Sequence, residues 1–138
     1  MLATTHVLVG AGTGEVVHEP FLVFFISIIL HFLTDKIPHY WPKAQKQKNI
    51  LVIVDWFIAI LIIILLVVLP TPNKASVVAG AFAGLLVDAL LVGVPYLEKS
   101  ALGVWHSKRQ PHRAELYFIF TDLIFVVPLA TYFLKLGC

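Results

Sequence analysis

Residues 49–69 form a nearly unbroken apolar run that ends at the Pro-Thr-Pro-Asn segment 70–73. At a rise of roughly 1.5 Å per residue, a helix of this length crosses the ~30 Å hydrocarbon core of a bilayer. Only 13% of the residues are charged, about half the share found in soluble domains. The sequence therefore predicts an integral membrane protein, and 138 residues leave room for one transmembrane helical domain, 1–138.

Two further segments are long and apolar enough to span. Residues 75–97 contain Gly80 and Gly84, whose four-residue spacing lets neighbouring helices approach closely. Residues 114–136 form another span. Residues 3–36 are less regularly apolar, and they predict a helical hairpin that crosses or dips into the bilayer. We expect an all-α bundle of three full transmembrane helices plus this N-terminal hairpin, up to five helices in all.

Positive charge is distributed unevenly over the loops. Of the ten Lys and Arg residues, eight fall in segments 36–48 and 98–113. By the positive-inside rule we expect these two loops to be cytoplasmic, in a multi-pass membrane protein. The N-terminus lacks the basic region of a secretory signal, so residues 2–17 are expected to belong to the mature fold. A net charge of +2 and no basic, aromatic-interleaved patch argue against nucleic acid as a partner.

Several ionisable residues fall inside the apolar segments, where each is unfavourable by about 2.5 kcal/mol or more. They are Asp55, Asp88 and Asp122, with His31 and Asp35 near the end of the second helix. On the predicted topology all of them lie towards the cytoplasmic face. We therefore expect them to converge on one pocket, with Asp122 as a ligand, as a neighbour of the ligands, or as a residue that orients a histidine or caps Arg113.

The sharpest local pattern is His31-x3-Asp35-x3-His39. Residues at i and i+4 share one helix face, so His31 and Asp35 could bind one ion. Imidazole with carboxylate suits zinc, manganese or iron better than magnesium or calcium. The alternative is that Asp35 pairs with a nearby lysine and His31 hydrogen-bonds a neighbouring helix.

The predicted site extends this pattern with residues from other segments. A divalent transition metal, with zinc foremost and manganese or iron as alternatives, is expected to take its ligands from His6, His31, Asp35, His39, Asp88 and His112. Catalytic roles are predicted for Asp55 or His106 as general base, and for Arg109 and Arg113 in holding an anionic group. These cations could equally contact anionic lipid headgroups.

The same residues carry a resemblance to a known family. Thr5-His6 before a glycine-rich helix, His31-x3-Asp35-x3-His39, Asp88 after Gly84-Leu85-Leu86-Val87, and the His106–Arg113 segment resemble small bacterial inner-membrane proteins described as membrane-bound metal-dependent hydrolases. The resemblance implies an inner-membrane location and a bound metal, and hydrolysis is one function such a metal could have. The chain lacks the Asp-x-Asp-His and His-Arg-Gly-x-Thr-His-Ser strings of better-defined members.

The leading hypothesis is metal-dependent hydrolysis of a phosphorylated or ester substrate, such as a lipid, reached from the cytoplasmic leaflet. One rival is a non-enzymatic membrane protein whose His/Asp site is structural or handles metal ions. A second rival is a haem-binding electron carrier with His6 and His31 as axial ligands. The expected partners are the bilayer and an anionic lipid or phosphorylated substrate, and an oligomer is compatible with each hypothesis.

Overall fold

The computed structural model describes residues 2–40, 42–93, 99–101, 103–105, 112–113 and 119–136. In this part of the chain lie five helices of 14 or more residues: α1 (Ala3–Val16), α2 (Pro20–Thr34), α3 (Gln45–Val68), α4 (Lys74–Gly93) and α5 (Ile119–Leu136). Two short strands accompany them, β1 (His39–Tyr40) and β2 (His112–Arg113). The predicted all-α class is confirmed.

The predicted N-terminal hairpin corresponds to α1 and α2, joined by residues 17–19. Pro20 opens α2 at a position where its missing N–H is not needed, and the Glu19 carboxylate accepts a hydrogen bond from the Leu22 amide at 2.6 Å. The helix ends at Thr34, ahead of Pro38, which cannot continue it. Local sequence therefore sets both ends of α2.

Helix α1 lies in the middle of the bundle, where it contacts α2, α3, α4 and α5. Nine of its 14 residues are buried. Helix α3 has the opposite environment, since large apolar side chains such as Ile53, Phe57 and Ile64 are more than half exposed. The apolar surface of α3 faces outwards, while the glycine-rich helix occupies the interior.

Helices α3 and α4 are long and apolar enough to cross a membrane, over Gln45–Val68 and Lys74–Leu91. They match the spans predicted at 49–69 and 75–97. Apolar stretches in α2 and α5 are shorter. The described helix α5 begins at Ile119, whereas the predicted span began at residue 114, and residues 114–118 lie outside the described residues.

A two-stranded parallel ladder joins the loop after α2 to the segment before α5. His39 pairs with His112, and Tyr40 pairs with Arg113. Strand β1 also contacts α5. The sequence pattern did not predict this ladder, which holds two distant segments at the end of the bundle where α2 finishes.

Candidate metal centre

The close packing of α1 against α4 brings the first two residues of the centre together. The helices run antiparallel, and a Cβ atom added to Gly10 would overlap the carbonyl group of Gly80. A Cβ atom on Gly84 would likewise overlap the carbonyl group of His6. His6 precedes Gly10 by four residues and Asp88 follows Gly84 by four, so each lies on the glycine face of its helix. The glycine contacts therefore align His6 with Asp88.

Helix α2 contributes two more side chains to the same pocket. Asp35 bridges two histidines, with Oδ1 at 3.0 Å from His6 Nε2 and Oδ2 at 3.3 Å from His31 Nε2. His31 Nε2 also lies 3.6 Å from Asp88 Oδ1. The rings of His6 and His31 stack with their centroids 3.8 Å apart. All four residues are buried, and Asp88 is the most exposed at 9%.

The second nitrogen of each histidine ring has a hydrogen-bond partner outside the four. His31 Nδ1 donates to the Gly84 carbonyl oxygen at 2.9 Å. Thr34 Oγ1 lies 3.1 Å from His6 Nδ1, and it can accept from this nitrogen because its own proton can go to the carbonyl of Leu30 at 2.8 Å. When Nδ1 carries the proton of a neutral ring, Nε2 has a lone pair that faces a carboxylate oxygen.

This geometry matches what a divalent transition metal requires. The ligand atoms of His6, His31 and Asp88 all lie within 4.8 Å of one another. A tetrahedral zinc ion with bonds of roughly 2.0–2.1 Å separates its ligand atoms by about 3.3 Å. The three distances that join the histidines to the carboxylates are 3.0, 3.3 and 3.6 Å. Three side chains from three helices, His6, His31 and Asp88, could therefore hold one ion, and Asp35 contacts both histidines beside them.

The charge of the pocket also favours a divalent cation. Asp35 and Asp88 are two carboxylates in a buried pocket, and a buried charge is strongly unfavourable unless an opposite charge accompanies it. One divalent cation would neutralise both carboxylates. It would also be the electrophile for the Nε2 lone pairs of His6 and His31, and hydrogen bonds from the outer ring nitrogens are what orient histidine ligands in metal sites.

Two of the predicted acids, Asp55 of α3 and Asp122 of α5, lie outside this pocket, and their carboxylates contact the beginning of α1. Asp55 accepts hydrogen bonds from the amides of Ala3 and Thr4, at 2.6 and 3.1 Å. Asp122 accepts one from the Thr5 hydroxyl at 3.0 Å. The structure thus gives these carboxylates backbone and hydroxyl partners one turn before His6, and the role of Asp55 as general base stays a prediction.

The remaining predicted residues follow α2 or lie in the basic loop. His39 is buried in β1, and its Nδ1 lies 3.3 Å from the carbonyl oxygen of Ile37. His112 and Arg113 form β2, so their backbone runs beside β1. His106 and Arg109 lie outside the described residues. The metal role of His39 and His112 and the catalytic roles of the other three stay predictions.

Sequence reasoning missed Thr34 and the carbonyl group of Gly84 as partners of the histidine rings. A signal for Thr34 existed, because a threonine inside a helix commonly bonds the carbonyl four residues earlier, which leaves its oxygen as an acceptor. For Gly84 no such signal existed, since any residue has a carbonyl group. No protein-family model, curated protein or solved structure matches the chain, so function is inferred from its own residues.

Proposed function

We propose that this chain is a multi-pass membrane protein that binds one divalent transition metal through His6, His31, Asp35 and Asp88. We further propose that it uses the metal to hydrolyse a phosphorylated or ester substrate reached from the cytoplasmic leaflet. Zinc is the first choice because two imidazoles and two carboxylates at these spacings suit a tetrahedral ion. Manganese and iron accept the same donor types.

A single observation carries the metal proposal. The Nε2 atoms of two stacked histidines face carboxylate oxygens, while hydrogen bonds to Thr34 and Gly84 occupy the Nδ1 positions. A lone pair facing a carboxylate is repulsive unless a cation lies between them. Where Nε2 of both rings is unprotonated, a cation between the stacked rings, whose centroids are 3.8 Å apart, and the carboxylates removes that repulsion. One metal ion satisfies both rings at once.

The membrane proposal is supported by the outward apolar surface of α3 and by the two helices long enough to cross. The lysines of segment 36–48 lie at the end of the bundle that holds the metal centre, and Lys36, Lys43 and Lys46 are exposed. A positive loop favours the cytoplasmic side. The proposed centre therefore lies near the cytoplasmic face.

Hydrolysis is supported by the chemistry of such a centre and by the family resemblance of the sequence. Hydrolysis requires that the ion keep one position open for water, which it has when three of the four side chains, such as His6, His31 and Asp88, bind it. A zinc ion held in this way would activate the water and polarise a substrate oxygen. Asp88 is the ligand whose side chain is most accessible, at 13%, so substrate is expected to approach from its side. The roles of His106, Arg109 and Arg113 in proton transfer and anion binding remain sequence predictions within this proposal.

Elemental analysis of purified protein tests metal binding. We expect one zinc, manganese or iron ion per chain in wild type and less than a tenth of that in His31→Ala and Asp35→Ala, because each removes a ligand. His18→Ala is the matched control, since His18 is outside the pocket and contacts the carbonyl of Glu15. Equal metal content in all four proteins would reject the centre.

Turnover is tested on the metal-loaded protein in vesicles, with aryl phosphate, aryl ester and phospholipid substrates. We expect hydrolysis that disappears with a chelator, returns with added metal and is absent in Asp35→Ala. Stoichiometric metal without turnover on any of the three classes would favour the second candidate, a metal site that is purely structural. That candidate is supported by the closed set of four buried ligands, which is typical of structural zinc.

The haem alternative is disfavoured by the same geometry. Axial ligands lie on opposite faces of a porphyrin, with the iron between them, whereas the rings of His6 and His31 stack directly on each other at 3.8 Å. No porphyrin fits between two stacked rings. A Soret absorption band in the purified protein would contradict this conclusion.

A further inference from the structure

The first turn of α1 carries His6 but does not cap itself. The N-cap residue is Leu2, which has no side chain able to accept a hydrogen bond. The first amide groups of any helix have no partner inside the helix and need acceptors from elsewhere. In α1 these amides are buried, since Ala3 is 4% exposed and Thr4 is 6% exposed, so an unmet amide would be strongly unfavourable.

Asp55 of α3 supplies the first set of acceptors. Its Oδ2 accepts from the Ala3 amide at 2.6 Å, and its Oδ1 accepts from the Thr4 amide at 3.1 Å. The Thr4 hydroxyl donates to the backbone carbonyl of Asp55 at 3.1 Å. Both carboxylate oxygens are therefore used, and the negative charge lies where the helix dipole favours it.

Asp122 of α5 binds the same turn from another side. Its Oδ1 accepts from the Leu2 amide at 3.4 Å and from the Thr5 hydroxyl at 3.0 Å. Asp122 is only 2% exposed. Thr5 is the residue directly before His6, so the contact reaches the immediate neighbour of a proposed metal ligand.

Helix α1 has little intrinsic tendency to hold this turn in place. Gly10, Gly12 and Gly14 each disfavour a helix relative to alanine. His6 nevertheless has to keep its Nε2 at 3.0 Å from Asp35. The contacts from α3 and α5 hold the turn from the two helices that contribute no ligand to the centre.

We propose that Asp55 and Asp122 are positioning residues, which clamp the first turn of α1 from α3 and α5 and thereby fix His6 in the metal centre. This inference rests on the proposed metal-binding function. It assigns Asp55 a role other than the predicted one of general base, and it specifies how Asp122 would orient a histidine, which was one of the predictions for that residue. The clamp makes the metal centre depend on all five helices, although only three provide ligands.

Metal affinity of the detergent-solubilised full chain, titrated with zinc, is the first test. Asp55→Ala should weaken binding 10- to 100-fold, in the range known for partners of metal ligands. Asp55→Asn should weaken it at least tenfold, because an amide has one acceptor oxygen for two backbone donors. Asp122→Asn should stay within threefold of wild type, because one amide oxygen can replace Oδ1.

Leu66→Ala is the control for general loss of stability. Leu66 lies on α3, is 3% exposed and belongs to the apolar core, and it is eleven residues from Asp55 towards the other end of the helix. Zinc affinity should stay within threefold of wild type in this variant. If Leu66→Ala weakens binding as much as Asp55→Ala does, Asp55 has a merely structural role and the proposal is overturned.

A double variant tests whether zinc affinity depends on the backbone hydrogen bonds of Asp55, because a general loss of folding would not be reversed by it. Asp55→Ala leaves the amides of Ala3 and Thr4 without their acceptor, and a proline at position 3 removes one of these donors. Proline is well accepted at the first helical position, and Leu2 already has the extended backbone, with φ −73° and ψ 147°, that a following proline requires. Asp55→Ala combined with Ala3→Pro should recover at least threefold in affinity over Asp55→Ala alone.

The ring nitrogens of ¹⁵N-labelled histidine, observed by NMR in metal-free protein, separate this inference from the metal proposal. Asp55→Ala should shift the His6 signals and leave those of His18 unchanged. Unchanged His6 signals would overturn the clamp even if the wild type binds metal. Shifted signals in a protein that binds no metal would support the positioning of His6 and reject the metal function.

The Asp55→Asn variant also tests the earlier prediction for this residue. If Asp55→Asn retains full zinc affinity but loses turnover, Asp55 is the general base instead.

Discussion

Helices α1 and α3 are in contact but depend on their surroundings in opposite ways. Helix α3 has 24 residues, and only 17% of its most apolar 18-residue stretch is buried inside the protein. Helix α1 has 14 residues, three of them glycine, and most of its length is buried. The more apolar helix lies on the outside and the weaker helix former lies at the centre.

This difference shows where each helix gets its stability. The apolar residues of α3 suffice for a helix in an apolar solvent, because every backbone group is satisfied within the helix. Helix α1 instead relies on glycine contacts with α4 and on carboxylates from α3 and α5. Because these neighbouring helices stabilise α1, its polar side chains, including His6, can lie in the interior. Substitutions in α1 should therefore have larger effects than those on the outer face of α3.

The largest effect is expected for Gly10→Ala. The added Cβ would overlap the Gly80 carbonyl, so α1 and α4 must separate and the free energy of unfolding should fall by about 3 kcal/mol. Gly12→Ala is the matched control, because its Cβ would meet the flexible side chain of Leu129, and better helix propensity should offset the contact to within about 1 kcal/mol. Unfolding in mixed micelles, followed by circular dichroism, measures both. Equal stability of the two variants would contradict the close packing.

An effect of similar or somewhat smaller size should separate the two faces of α3. Leu66→Ala removes a buried side chain and should reduce the free energy of unfolding by about 2–4 kcal/mol. Phe57→Ala alters a side chain that is 69% exposed and should change it by less than about 0.5 kcal/mol. The same micelle unfolding assay compares them. A larger loss in Phe57→Ala would mean that the outer face of α3 is covered by a protein partner.

The smallest effect is expected at Thr34, which orients His6 without touching the metal. Thr34→Val removes the acceptor for His6 Nδ1 and should weaken zinc binding about tenfold, with little change in stability. Thr34→Ser keeps the hydroxyl and should bind zinc within about threefold of wild type. Zinc titration against a competing chelator measures both, and equal affinities for the two variants would show that Thr34 does not set the ring orientation.

Parts of the fold and the site were predictable because they are local. The apolar run 49–69 and the Pro-rich segment after it predicted α3, which spans Gln45–Val68. The spacing of His31 and Asp35 placed them on one face of α2, where their side chains meet at 3.3 Å. Hydropathy and helical periodicity operate over fewer than about 20 neighbouring residues, so one sequence is sufficient for them.

The partners of Asp55 and Asp88 were not predictable in the same way. Burial in an apolar segment is equally unfavourable for both, and both were predicted at one site, yet Asp88 lies near His31 and Asp55 binds the start of α1. Helical spacing says which residues share a face, but it does not say which neighbour that face meets. That choice depends on packing between segments far apart along the chain.

The amino-acid order by itself determined the helices, the apolar outer surface and the supply of buried acids and histidines, since these follow from hydropathy and from 3.6-residue periodicity. Only the tertiary structure decided that α1 is central and that His6 and Asp88 meet His31 and Asp35. The physical reason is the antiparallel contact of Gly10 with Gly80: 70 residues separate these positions, and their backbones touch because neither has a side chain.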